Sequence, residues 1–229
     1  MILNEVIRFI FSTIENISIV ILSLSLFRIP IKYSGNKILI ISLVLSSISL
    51  FQRDYLQLND FVTISLMIAY VILFKFIFNF PIFFALLVSI TGYLIFAVIQ
   101  TVLLLIGVIL GLTSIEQMQS SLLHGSMIQL ISAGVTILLA VWAQYKKIGF
   151  MFVVKRLTIK HMFSSFNIIL SFIILLTLIT IQLAIISFND NIPTIFALLG
   201  LTFILILGLT ITYRKNKNDI KEKYERLKK

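Results

Sequence analysis

The sequence predicts an all-α fold: a polytopic membrane helix bundle with seven transmembrane helices, its N-terminus outside and its C-terminus inside the cell. Three observations predict this class. Hydrophobic residues make up 59% of the 229 residues and charged residues only 12%, more apolar surface than a water-soluble domain can bury. The apolar residues form seven long runs. The basic residues lie almost entirely in alternate gaps between those runs.

Two of the seven predicted spans differ in length from what a bilayer core of about 30 Å requires. Ile38–Phe51 has only 14 residues and must recruit flanking residues or thin the bilayer locally to cross, whereas Ile82–Leu112 has 31 and is expected to tilt or project. Asn79, Phe80 and Pro81 predict a tight turn between the third and fourth spans. The spans are Val6–Phe27, Ile38–Phe51, Phe61–Phe78, Ile82–Leu112, Leu122–Ala143, Phe163–Phe188 and Ile195–Tyr213.

The lysines and arginines predict the orientation. Seventeen of the 19 basic residues lie on one side if all seven runs cross. Because anionic lipid and the insertion machinery retain basic loops in the cytoplasm, that side is predicted to be cytoplasmic. The same bias accounts for the net charge of +10, so no nucleic-acid partner is expected. The opposite, outer side carries Arg8, Arg53, Glu5, Asp54, Asp60, Glu116 and Asp190.

Two cytoplasmic segments allow two interpretations each. Residues 1–213 are predicted to form the bundle, and residues 214–229 a basic helical tail. The tail favours either a lipid-bound segment or the start of a signalling coiled coil, because apolar residues recur at heptad-like spacing. The inner segment Gln144–His161 indicates either an interfacial helix on anionic lipid or an extension of the flanking helices. The signalling-helix residues are Tyr213, Ile220, Tyr224 and Leu227.

Polar residues inside the spans are candidates for packing or coupling, because they are costly in lipid. Glu15 is predicted to be protonated or paired with a cation from a neighbouring helix, in either a coupling site or a packing contact. Asn16 shares a helix face with Ser12 and Ser23. Gln129 belongs to a small and polar stripe that predicts close packing of the fifth helix. That stripe is Gly125, Gln129, Ser132, Thr136, Ala140 and Ala143, and Gly107 with Gly111 forms a G-x-x-x-G pattern in the fourth span.

The outer loops and the outer helix ends are the predicted ligand-binding surface. The loops are too short to fold as a domain, but polar residues in the outer halves of three spans are placed to line a pocket open to the outside. The candidate ligand-binding residues are Gln52, Asp54, Tyr55, Asp60, Gln100, Glu116, His124, Gln182 and Asp190.

The sequence carries no catalytic or cofactor motif. The absence of cysteine excludes disulfides, thiolate metal sites and cysteine nucleophiles. His124 and His161 are predicted on opposite sides of the bilayer, so they cannot share a metal. No P-loop, H-E-x-x-H or G-x-S-x-G occurs. We therefore expect no enzyme activity, no cofactor and no metal.

The chain resembles the membrane-sensor regions of accessory-gene-regulator-type receptor histidine kinases, which detect peptide pheromones in Gram-positive bacteria. The likeness lies in the short second span, the stretch QRDYLQLNDF (Gln52–Phe61), the stretch FNFPIFFALLVSITGYLIF (Phe78–Phe96) and the late spans that lead into a basic tail. The resemblance implies a multi-pass protein of the cell membrane that binds an extracellular peptide in quorum sensing. In that family the signal passes down the last helix into a dimeric kinase.

The chain departs from that family because it ends at Lys229, without a phosphoacceptor helix or an ATP-binding domain. The resemblance therefore implies a sensor without its own kinase, acting as a homodimer or paired with a full-length histidine kinase. Anionic membrane lipid is the expected second partner. Two alternatives stay open: a membrane subunit of an ABC-type transporter or exporter, and a membrane protein of the bacteriocin-immunity type.

Overall fold

A computed structural model describes residues 2–56, 62–111 and 122–149, with the single residues Gly200, Leu207, Arg214, Asn218 and Glu225. All regular structure in this part of the chain is helical, as the sequence predicts. The predicted sixth and seventh spans and the coiled-coil tail lie outside the described residues, apart from those single positions. The elements are α1 (Ile2–Leu26), α2 (Gly35–Leu50), a π-helical turn (Phe51–Tyr55), α3 (Val62–Phe78), α4 (Ile82–Ile109) and α5 (Leu122–Tyr145).

Within the described ranges, four helical segments are long and apolar enough to cross a membrane: Glu5–Leu26, Gly35–Tyr55, Phe84–Ile109 and Gly125–Tyr145. The remaining helix, α3 (Val62–Phe78), is apolar but has only 17 residues. At about 1.5 Å per residue it is a little shorter than a bilayer core of about 30 Å. These helices are consistent with a membrane protein, while the number of crossings and their orientation stay predictions.

The second predicted span is extended at both ends, which explains how so short an apolar run forms a long helix. The α-helix begins at Gly35, three residues before the run, and the π-turn continues it to Tyr55. The resulting stretch of 21 residues is close to the length that a crossing requires. The helix therefore includes flanking residues, which is one of the two expectations for this run, while its crossing of a membrane stays a prediction.

The fourth helix ends earlier than predicted. It stops at Ile109 rather than Leu112, because Gly111 adopts a left-handed conformation (φ +67°) that ends the helix. The amide of Gly111 donates a hydrogen bond to the carbonyl of Val108 at 3.0 Å. The predicted G-x-x-x-G pattern is therefore wrong as a helix face, since its second glycine lies outside α4.

The turn between α3 and α4 is as tight as predicted. Asn79 has a positive φ of 54°, and Pro81 (φ −57°, ψ 144°) caps the start of α4. An extended proline fits this place because its ring fixes φ and its missing amide proton is not needed at a helix start.

Helix α1 lies at the centre of the described bundle. It packs most extensively against α5 and also contacts α2 and α4, while α3 packs against α2 and α4. On α5 the predicted small stripe is buried at Ser132, Thr136 and Ala140. Small side chains let neighbouring backbones approach closely, so the stripe acts in helix packing as predicted.

The antiparallel helices place different charges at the two ends of the bundle. The end of α5 is tied to the α1–α2 loop, where Gln144 donates a hydrogen bond to the carbonyl of Ile29 at 2.7 Å. We call this the basic end, with Arg28, Lys32, Lys37, Lys75, Lys146 and Lys147. We call the other the mixed-charge end, with Glu5, Arg8, Arg53 and Asp54.

An aromatic cluster packs α1, α3 and α4 together towards the basic end. Phe74, which is fully buried, stacks on Tyr70 at 5.6 Å between ring centroids and on Phe78 at 5.4 Å. Phe84 meets the ring of Phe27 edge-on at 5.8 Å. The cluster comprises Phe27, Tyr70, Phe74, Phe78, Phe80 and Phe84.

Candidate ligand site at the mixed-charge end

The π-turn after α2 is the point where three helices are joined by polar side chains. Gln52 accepts a hydrogen bond from the hydroxyl of Ser65 on α3, 2.5 Å away. Asp54 forms an ion pair with Arg8 on α1, with 2.9 Å between Nη1 and Oδ1. Single π-turns are frequent at functional sites, because the extra residue re-aims the side chains that follow. Here it directs consecutive side chains to different neighbours.

Glu15 on α1 lies among polar groups from two other elements. The side chain of Gln100 on α4 donates a hydrogen bond to its carboxyl, and Arg53 of the π-turn is its cationic neighbour. Tyr93 of α4 also interacts electrostatically with Glu15 and shares a hydrogen bond with Thr63 of α3. Glu15 and Arg53 form no salt bridge, so both states predicted for Glu15, protonated or paired with a cation, stay predictions.

Asn16, the next residue, joins α1 to α2 and α3 in the bundle interior. Its side-chain amide donates to the hydroxyl of Ser46 at 3.0 Å and lies 3.4 Å from that of Ser12. The Tyr70 hydroxyl donates to the Asn16 carbonyl at 3.2 Å. Both Asn16 and Ser46 are buried. Asn16 is therefore a packing residue, because its side-chain contacts all lie within the bundle.

The Arg8–Asp54 pair is the only salt bridge among the described residues. The Arg8 side chain is 54% exposed and that of Asp54 only 18%. Arg8 contacts one carboxylate oxygen, Oδ1, while Oδ2 is buried without a hydrogen-bond partner. A buried carboxylate oxygen ordinarily has a donor, so Asp54 has unused capacity to accept one.

The surface beside this pair is aromatic. Phe51 and Tyr55, one at each end of the π-turn, stack at 5.7 Å between ring centroids and are 53% and 66% exposed. An exposed pair of rings on the same π-turn as a carboxylate offers both an apolar surface and a charged group to a ligand.

The structure brings together six of the residues singled out from the sequence and leaves most of the others outside its description. Gln52, Asp54, Tyr55, Gln100, Glu15 and Asn16 lie on the connected elements described above. Gln129 lies partly buried on α5, and His124 is in its first turn. Asp60, Glu116, Gln182, Asp190, Tyr213, Ile220, Tyr224 and Leu227 lie outside the described residues.

Sequence reasoning missed four partners in this site: Arg8, Arg53, Ser46 and Ser65. Arg8 and Arg53 were recognised as outer charges, and Arg8 also as sharing a helix face with Glu15, but their contacts with the π-turn and its neighbours were not predicted. The available signal was the opposite charge of Arg8 and Asp54 on helices predicted to end on the same side. Within the described ranges, no three histidine, aspartate or glutamate side chains lie close enough together to hold a metal ion.

No protein-family model matches the chain, and no curated protein or solved structure is significantly similar to it. The class of protein, a helical membrane protein, therefore rests on the fold alone. The described part of the chain is a helical bundle with four helices long and apolar enough to cross a membrane.

Proposed function

We propose that the chain is the membrane-embedded sensor module of a signalling receptor in quorum sensing. It binds an extracellular peptide at the mixed-charge end and passes the signal through its last helix to a histidine kinase of a two-component system. The observation that carries this proposal is the π-turn, whose polar side chains contact both α1 and α3. A ligand that contacts this turn acts on several helices at once.

The mechanism is a shift between two helix packings. A ligand favours whichever packing it binds more tightly, so its contacts with the π-turn must differ between the two. The centrally placed α1 connects this turn to α5, because it contacts both. Small helix shifts of this kind are a common way to carry a signal through a bundle.

The charge of the two ends supports the proposed orientation in the cell membrane. Six basic residues of the described helices and turns lie at the basic end, whereas the mixed-charge end has two basic and two acidic residues. The positive-inside rule assigns the basic end to the cytoplasm, where anionic lipid is the expected partner. The mixed-charge end then faces the outside, where a peptide reaches it. The last helix would carry the signal to a second copy or to a kinase.

The test uses introduced cysteines, because the native chain has none. Leu56→Cys marks the mixed-charge end and Tyr33→Cys the basic end, both at exposed positions. In intact cells a membrane-impermeant maleimide is expected to label the first but not the second, and permeabilised cells should label both. The peptide fraction of medium conditioned by the source organism is then expected to slow labelling at position 56.

Two outcomes contradict the proposal. Labelling of Tyr33→Cys in intact cells would place the basic end outside. Unchanged labelling of Leu56→Cys in conditioned medium would remove the ligand from this surface.

A further inference from the structure

We propose that Asp54 anchors a cationic group of the ligand, a guanidinium or a primary ammonium, in exchange for Arg8. The inference rests on the proposed function, since it assumes that a peptide binds at the mixed-charge end, and it names the chemistry by which that peptide is recognised. The ion pair between Arg8 and Asp54 is then broken when the ligand binds.

One carboxylate oxygen of Asp54 has no hydrogen-bond partner. Arg8 contacts Oδ1 at 2.9 Å, and Oδ2 is buried with no donor. A carboxylate left with a buried, unsatisfied oxygen is in an unfavourable state. A ligand guanidinium that contacts both oxygens makes two parallel charge-assisted hydrogen bonds, which are stronger than the single one that Arg8 makes.

Arg8 is exposed enough to leave Asp54 at little cost. Its side chain is 54% exposed, so it stays hydrated when it leaves Asp54. Exposed ion pairs contribute little to stability, and a better donor displaces such a partner readily. Arg53, the other cation at this end, forms no salt bridge with Asp54, so Arg8 is the partner that a ligand replaces.

The surroundings of Asp54 define the rest of the ligand. The exposed rings of Phe51 and Tyr55 flank the carboxylate in sequence and stack on each other. They offer a surface for an apolar or aromatic residue and a ring face for a cation. At this end Glu5 and Asp54 balance Arg8 and Arg53, so the preference for a cation comes from the Asp54 carboxylate and not from the net charge. The ligand class is therefore a peptide with a cationic residue next to an apolar one.

Exchange at Asp54 also explains how binding is transmitted. While Arg8 holds Asp54, the second turn of α1 is fixed to the end of the helix that α2 begins. Once the ligand takes that carboxylate, the first turns of α1 are released from the π-turn. Because α1 packs on α2, α4 and α5, its release reaches most of the described bundle.

The experiment uses the full chain with Leu56→Cys in lipid nanodiscs, and it measures protection of that cysteine from maleimide. The probe is the dipeptide amide Arg-Phe-NH2, and its matched control replaces arginine by citrulline, which is neutral and of the same shape. The arginine probe is expected to protect at millimolar concentration or below, and the citrulline analogue at least about tenfold less well, as loss of a charged contact requires.

Substitutions of Arg8 and of Asp54 are expected to change protection by the arginine probe in opposite directions. Arg8→Ala removes the competitor and should lower the half-protecting concentration, by up to about fivefold for an exposed pair. Asp54→Asn removes the anchor and should abolish protection, while Asp54→Glu keeps the carboxylate and should retain it. Lys146→Ala removes a charge at the basic end, as Arg8→Ala does at this one, and should have no effect.

A purely structural ion pair predicts something different. If Arg8→Ala and Asp54→Asn weaken protection alike, the pair only holds the bundle together and the inference is overturned. Absence of protection by the arginine probe in every variant overturns it as well. If conditioned medium protects the Asp54→Asn variant as well as the parent, Asp54 is no anchor, although the proposed function stands. The proposed function itself fails if conditioned medium protects neither the parent nor the Asp54→Asn variant.

Discussion

At the basic end, aromatic rings from α1, α3, α4 and the turn between the last two pack in series. At the mixed-charge end, one ion pair and one side-chain hydrogen bond hold α1 and α3 to the π-turn. Ring packing depends on close fit over a large area and tolerates little displacement. A polar contact with at least one exposed partner, such as Arg8, is individually weak and can exchange that partner. One end is therefore suited to hold the fold and the other to change.

The difference also fits what each end meets in the proposed orientation. Lipid tails compete poorly with a close-packed ring cluster, since helix association in a bilayer depends on van der Waals packing rather than on the hydrophobic effect. At the other end, the side chains of Arg8, Phe51 and Tyr55 are exposed, and the proposed orientation turns them towards the outside. The predictions below test this contrast, from the largest expected effect to the smallest.

The largest effect is expected from Phe74→Ala. This side chain is fully buried and stacks on the rings of Tyr70, Phe78 and Phe80. Removing it leaves a cavity, so the free energy of unfolding should fall by about 3 kcal/mol. The measurement is an SDS unfolding titration of the purified protein, followed by circular dichroism.

The matched control is Phe76→Ala on the same helix, because Phe76 is 68% exposed. Its removal leaves no cavity and should change stability by less than about 0.5 kcal/mol. Equal losses from the two substitutions would contradict the view that ring packing holds the basic end.

The second prediction concerns the close approach of α1 and α4. A Cβ added to Gly92 would lie 2.9 Å from the Cα of Ser23, so Gly92→Ala forces the two backbones apart. We expect a loss of about 2 kcal/mol in the same titration, the range for overpacking a close contact. Gly134→Ala on α5 is the control, since nothing lies within 4 Å of its added Cβ. Stability equal to or above that of the parent is expected there.

Hydropathy predicted the helices well because a helix that can span a membrane is apolar along most of its length. All five helices of the described part were predicted, and the buried stripe of α5 followed from the spacing of its small residues. The turn at Asn79–Pro81 followed from proline chemistry. These features depend on local sequence, so a single chain is enough to reveal them.

The missed features depend on conformation or on distant partners. Apolar residues continue to Leu112, but the backbone of Gly111 ends α4, and hydropathy does not register a positive φ. Nothing in the composition of Phe51–Tyr55 distinguishes a π-turn from an α-helical turn. Arg8 and Asp54 are 46 positions apart, so the sequence displays their charges without showing that they meet. The site residues were therefore predicted individually, and their connections were not.

The third prediction tests the interior contact between α1 and α2. Ser46→Ala removes the hydroxyl that accepts from Asn16 and should lower the free energy of unfolding by about 1 kcal/mol, as for other interhelical hydrogen bonds in membranes. Ser47→Ala is the control, because the exposed Ser47 hydroxyl donates only to the Leu43 carbonyl of its own helix. A loss at Ser47 that matches the loss at Ser46 would mean that helix propensity, and not the contact, sets the effect.

The smallest effect is expected from the ion pair itself. A double-mutant cycle with Arg8→Ala and Asp54→Ala should give a coupling energy of about 0.2–1 kcal/mol, because Arg8 is 54% exposed. High salt should reduce it further, since exposed charges are screened. A coupling of about 3 kcal/mol or more would be that of a desolvated pair, whose charge is costly to leave unpaired. The mixed-charge end would then be fixed as firmly as the aromatic cluster, and a ligand could not exchange with Arg8. A small coupling instead leaves Asp54 open to a stronger donor, which is what separates this end from the other.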